Sequence, residues 1–175
     1  MLFRSRRRFK AERICRYKSG KYTIERPLHL GALMAAPERA NELVPALSAY
    51  GLPLGDAFQM RDDVMGAFGA TAVTGKPVGD DLREGKPTPL LSLAMEMAND
   101  SQRTILDRVG RVQLDDRGVS EAQDAIVSTG ALDEMERMIE RLASEAVEAI
   151  RRAPITDLAK TELVSLAEYV SRRQT

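Results

Sequence analysis

Adjacent carboxylates are the first feature of this chain that could do chemistry. Phe58-Gln59-Met60-Arg61-Asp62-Asp63 closes a stretch with helical apolar spacing. On a helix, Gln59 and Asp63 are four residues apart and share a face, with Asp62 beside them. Two carboxylates so close near a helix end repel each other unless a cation joins them. Their hard oxygens suit Mg²⁺, which takes one or two protein carboxylates together with substrate phosphates. A bare Asp-Asp is otherwise a solvated pair at a helix terminus.

The segment that follows changes this balance. Gly75-Lys76-Pro77-Val78-Gly79-Asp80-Asp81-Leu82-Arg83-Glu84-Gly85-Lys86-Pro87-Thr88 places two Gly-Lys pairs around an acidic centre. Glycines allow close backbone approach, and lysines offer point charges to phosphate. The segment is not a P-loop. Gly69 to Gly75 and Gly79 to Gly85 are each one residue too far apart, and Pro follows each Lys where Ser or Thr should stand. The residues themselves describe a flexible loop able to bind diphosphate and metal.

The elements that must position these groups read as helices. Ala11 to Tyr22 can be helical, and Pro27 should kink or interrupt the β-biased stretch before it. Ala36-Pro37-Glu38 reads as a helix start. Leu43, Val44, Leu47, Phe58, Met60 and Val64 continue that helix. The apolar stripe resumes after Gly51-Leu52-Pro53-Leu54-Gly55, which predicts a kinked helix rather than a break. Gly66 to Pro89 reads as one long loop, a length usually tied to function. A short helix over Leu90 to Ala98 follows.

Further on, Ser120-Glu121-Ala122-Gln123 has the pattern of a capping box. Leu132, Met135, Met138, Ile139, Leu142, Val147 and Ile150 form one stripe ended by Pro154. Ile155, Leu158, Leu163, Leu166 and Val170 mark a last helix. These stripes, with Met95 and Met97, are expected to be bundle core. The fold class expected is all-α, a helical bundle.

Composition narrows the function. A chain of 175 residues with 43% hydrophobic content can bury one ordinary core. Its 26 basic and 26 acidic residues balance, so the overall field selects neither nucleic acid nor a cationic partner. Arg4, Arg6, Arg7 and Arg8 cluster without a recognition motif, and no nucleic-acid partner is expected. Cys15 is the single cysteine, so no internal disulfide is possible and a cytoplasmic setting fits. No apolar stretch is long enough for a transmembrane segment. His29, the only histidine, reads as a packed or surface residue.

Phe-Gln-x-x-Asp-Asp followed by Gly-Lys-x-x-Gly-x-Asp-Leu-x-x-Gly-Lys-x-Thr resembles the second aspartate-rich region of the polyprenyl synthetase (trans-isoprenyl diphosphate synthase) family. Upstream, Tyr17-Lys18-Ser19-Gly20-Lys21-Tyr22-Thr23 resembles that family's Lys-Thr site, with Ser19 supplying the hydroxyl. The run through Ile24-Glu25-Arg26-Pro27 is similar to the bacterial geranylgeranyl-type branch. The resemblance implies an isoprenoid-synthase bundle and a prenyltransferase of isoprenoid biosynthesis. Its substrates would be an allylic diphosphate and isopentenyl diphosphate, and its cofactor Mg²⁺. Asp62 and Asp63 would hold the metal. Lys18, Lys76 and Lys86 would neutralise diphosphate, while Gln59 and Ser19 would steady the diphosphate or the allylic cation.

Two departures accompany the resemblance. The third Asp of the second motif is Gly66 here, and Asp80 and Asp81 are not assigned to its place. The family's first aspartate-rich motif is absent. Residues 1–13 are expected to be a basic start outside the family pattern, and residues 14–175 the carboxy-terminal part of the synthase domain, incomplete at its amino-terminal side. Such a part is expected to associate as a homo- or hetero-oligomer. The alternative reading is an inactive accessory or regulatory subunit docking on a complete synthase.

Overall fold

The computed structural model describes residues 16–69 and 78–173, with backbone alone for residues 16–19. A π-helix, Arg16–Glu25, leads into α1, Arg26–Ala35, and a 3₁₀ turn, Pro37–Arg39. The long helix α2, Ala40–Phe68, follows. Then come α3 (Asp80–Arg83), α4 (Pro89–Met97), α5 (Asp100–Leu106), α6 (Asp116–Ser128), α7 (Ala131–Arg152) and α8 (Asp157–Arg172). Among the described residues there is no β-strand, only an isolated bridge between Val109 and Val112. The all-α reading holds, and none of these helices is long and apolar enough to cross a membrane.

Several local expectations are corrected. Tyr22-Thr23-Ile24 is helical, not β-like, and Pro27 sits in the first turn of α1, where its missing N–H costs nothing. The expected loop over Gly66 to Pro89 is shorter: α2 runs on to Phe68, and Asp80–Arg83 forms a turn of helix. Ser120 to Gln123 lies inside α6, whose cap is Asp115. The capping box is instead Asn99 with Gln102, opening a helix that periodicity had not marked. Met97, Leu158 and Leu166, expected in the core, are exposed. Cys15 and the basic opening lie outside the described residues.

The described residues form two compact units. One contains residues 16–61 and 138–173. Its core is a stripe on α2 (Leu43, Leu47, Tyr50, Leu54, Ala57), one on α7 (Ile139, Ala143, Ala146, Ile150), and Ala167 and Val170 of α8. Spacings of three and four keep each stripe on one face. Polar ties fix the register. Tyr50 donates its hydroxyl to the Leu163 carbonyl at 2.7 Å, and Arg61 donates to the Ser171 carbonyl at 2.6 Å. Burial pushes the Tyr50 hydroxyl pKa upward, so it remains a donor. Glu25 and His29 are buried and share Ser48. The serine donates to Glu25 Oε1 at 2.8 Å, and its Oγ lies 2.9 Å from His29 Nε2. Tyr22, Leu30, Leu33 and Met34 of the π-helix and α1 are exposed.

The second unit contains residues 62–69 and 78–137. Leu82, Leu90, Leu93, Leu106, Ile126 and Met135 anchor its core. Gln123 of α6 donates to the Ala67 carbonyl at 2.6 Å, satisfying one carbonyl at the end of α2.

Glycines set the closest approaches in the first unit. A Cβ on Gly55 would collide with the Gly20 Cα and lie 2.9 Å from its carbonyl oxygen. Backbone cannot step aside as a side chain can. Gly55→Ala should therefore lower stability by roughly 1–3 kcal/mol. Gly31, inside α1, has nothing within 4 Å of a built Cβ. Gly31→Ala should instead be neutral or raise stability by up to about 1 kcal/mol. Urea unfolding of both variants checks this, and equal shifts would contradict it.

Candidate diphosphate and metal site

Helix α2 carries Gln59, Asp62 and Asp63 near its carboxyl end. Asp62 is exposed, whereas Asp63 is only 4% exposed. The two neighbouring carboxylates thus differ sharply in environment. Asp63 is the more desolvated of the two. Gln59 is half-buried and stands one helical turn before Asp63.

Lys86 emerges from the turn after α3. Its Nζ bonds Asp81 Oδ1 at 2.5 Å and Glu84 Oε2 at 2.9 Å. The Asp81 bond first, and the Glu84 bond second, push the Lys86 pKa upward and keep its ammonium charged. The Lys86 amide also donates to the Asp81 carbonyl at 2.9 Å. Oxygens of Asp80, Asp81 and Glu84 lie within 4.8 Å of one another.

Local chain chemistry builds this turn. Gly79 at the N-cap of α3 and Gly85 at its exit have φ of 71° and 65°, a region that favours glycine. A Cβ on Gly85 would strike the Gly110 Cα, so two backbones meet directly beside Lys86. Arg83 donates to the Leu114 carbonyl at 3.2 Å, tying α3 to the approach of α6. Thr88 then caps α4 by accepting the Leu91 N–H at 3.2 Å, with Pro89 in the first turn.

Lys18 and Ser19 lie on the π-helix, next to the Gly20 that meets Gly55. Lys76 lies outside the described residues. Gln59, Asp62 and Asp63 are therefore grouped on one helix and Lys86 on a defined turn. Sequence reasoning missed Asp81 as the partner of Lys86. The two are five residues apart, which matches neither helical nor strand spacing, so no periodicity signals the pair.

The polyprenyl synthetase family matches this sequence over residues 7–126. The chain belongs to that family. Relatives include a geranylfarnesyl diphosphate synthase from Aeropyrum pernix, 35% identical over 90% of this chain and 48% of the relative. An octaprenyl diphosphate synthase from Haemophilus influenzae is 38% identical over 80% of this chain and 41% of its own length. A geranylgeranyl pyrophosphate synthase from Corynebacterium glutamicum, solved with isoprenyl diphosphate and magnesium, superposes with a TM-score of 0.83. It is 38% identical and is matched over 93% of this chain and 46% of its own. The chain thus spans about half the length of the family members it matches. The isoprenyl-synthase fold expected from the motifs is the one found.

Within that family motif, the Thr88 hydroxyl has a local structural task. Thr88→Ala should cost about 1 kcal/mol through loss of the cap, and Thr88→Ser should keep most of it. Urea denaturation of the three proteins would show this order, and equal midpoints for Thr88→Ala and the parent chain would contradict it.

Proposed function

We propose that this chain supplies the diphosphate- and Mg²⁺-binding residues of a prenyltransferase that joins an allylic diphosphate to isopentenyl diphosphate. The observation that carries this reading is the family match across Asp62, Asp63 and the Lys76–Lys86 segment, with the buried Asp63 at the end of α2. An exposed and a buried carboxylate in succession give oxygen donors of the kind Mg²⁺ prefers, so the residues fit the ion. Bound there, Mg²⁺ would supply positive charge to the diphosphate leaving group.

The roles of the chain's own residues follow. Lys86 would offer positive charge where negative charge grows as the allylic carbon–oxygen bond breaks, the role that the family resemblance gives to Lys18 and Lys76 as well. That bond's electron pair leaves with diphosphate. The double bond of isopentenyl diphosphate then forms the new carbon–carbon bond, and a proton is lost. Gln59 and Ser19 orient the diphosphate or the allylic cation through neutral hydrogen bonds. Asp62 and Asp63 would hold the ion through their carboxylate oxygens.

The test is incorporation of labelled isopentenyl diphosphate with Mg²⁺ and an allylic diphosphate. Calorimetric binding of pyrophosphate, with and without Mg²⁺, accompanies it. Asp62→Ala/Asp63→Ala should lower incorporation by about 100-fold or more and abolish Mg²⁺-dependent pyrophosphate binding. Pyrophosphate binding that ignores both aspartates and Mg²⁺ would sink the reading. Mg²⁺-dependent binding without incorporation would confine this chain to binding. Adding a complete synthase and following its rate then tests an accessory role.

A further inference from the structure

We infer that Gly66 and Asp81 form a positioning device for the Lys86 ammonium, the bare Cα of Gly66 being the seat for the Asp81 carboxylate. This rests on the reading above that Lys86 faces diphosphate. A Cβ at position 66 would collide with Asp81 Oδ2 and lie 2.5 Å from its Cγ. Seated there, Asp81 has a side chain only 15% exposed, with Oδ1 turned to Lys86 Nζ. The same residue holds Lys86 by its backbone carbonyl. A carboxylate with two torsions is thus confined between a glycine and a lysine.

The lysine side chain is 41% exposed, so its ion pairs add little to stability. Their effect is on place. A lysine carries four flexible carbons, and an unpaired one samples many rotamers. Among the described residues its ammonium bonds two carboxylates, leaving the third N–H for an anion. Ordering the ammonium before an anion arrives removes an entropic cost from binding. A Cβ at position 66 would force the Asp81 carboxylate to shift from this seat.

The test uses the full chain as Gly66→Ala, Asp81→Asn and the double variant. Acetylation of Lys86 is followed against pH by peptide mass spectrometry, with Lys160 as the internal reference. Losing the carboxylate should shift the Lys86 profile to lower pH. At fixed pH its rate should rise about tenfold for each unit lost. Gly66→Ala should move the profile in the same direction, and the double variant should react no faster than Asp81→Asn alone, because Gly66 acts through Asp81. Gly66→Ala should also weaken pyrophosphate binding by up to about tenfold, the worth of one charge-assisted hydrogen bond.

An unchanged Lys86 profile in Asp81→Asn overturns the proposal, and this near-isosteric variant decides it even if Gly66→Ala does not fold. Additive effects in the double variant also overturn it, since a merely structural glycine would behave that way. A shifted Lys86 profile in a chain that never binds pyrophosphate would support the positioning device and count against the diphosphate reading. Normal pyrophosphate binding with an unmoved profile would do the reverse.

Discussion

Helix α2 must stay unbroken through Pro45 and Pro53 if it is to carry both a core stripe and the adjacent carboxylates Asp62 and Asp63. Each internal proline removes a donor and crowds the carbonyl four residues earlier, at a cost of about 3 kcal/mol. The carbonyls affected are those of Asn41 and Ala49, both exposed residues, where water can substitute for the lost donor. Opposing the cost are Leu43, Leu47, Tyr50 and Leu54, all buried. Full burial of a large apolar side chain contributes about 1.5–3 kcal/mol each, so the stripe outweighs the prolines. Local propensity and tertiary burial conflict here, and burial wins.

The same segment shows why its glycines are tolerated within a helix. Gly51 would bring a Cβ to 3.1 Å from the Glu25 Cα, and Gly55 would collide with Gly20. Each gives up helix propensity, by about 1 kcal/mol relative to alanine. In exchange the π-helix carrying Lys18 and Ser19 comes against α2 at backbone distance. Glycine contacts recur in the second unit, where Gly85 meets Gly110 and Gly66 meets Asp81. Backbone approach through glycines positions candidate binding residues on turns that hydrophobic burial alone would leave loose.

Charge behaves in the same local way. The equal totals of acid and base conceal pairs with different consequences. Arg83 with Asp116 and Arg117 with Glu121 are exposed pairs of small energetic weight. The Lys86 pairs are equally modest in energy, yet they fix a cation on the turn that follows the Asp62-Asp63 helix. In a site that stabilises developing charge, placement matters more than the strength of any single resting pair.

What the sequence determined by itself was the helical class, the long stripes of α2 and α7, and the family. Stripes at spacings of three and four suffice for helices, and an ordered pattern of Asp, Gly, Lys and Thr suffices for the family. The tertiary structure alone decided where helices begin within turn-rich segments. Asp80–Arg83 and the capping box at Asn99 are short enough that packing and caps, not periodicity, select them. It also decided which apolar residues are buried. Met97, Leu158 and Leu166 keep helical spacing yet face outward, because a stripe marks a face but not what covers it. Tertiary structure, finally, brought Asp81 against Gly66 and Lys86. A pair closed by a turn depends on chain reversal, which residue types at a fixed spacing do not encode.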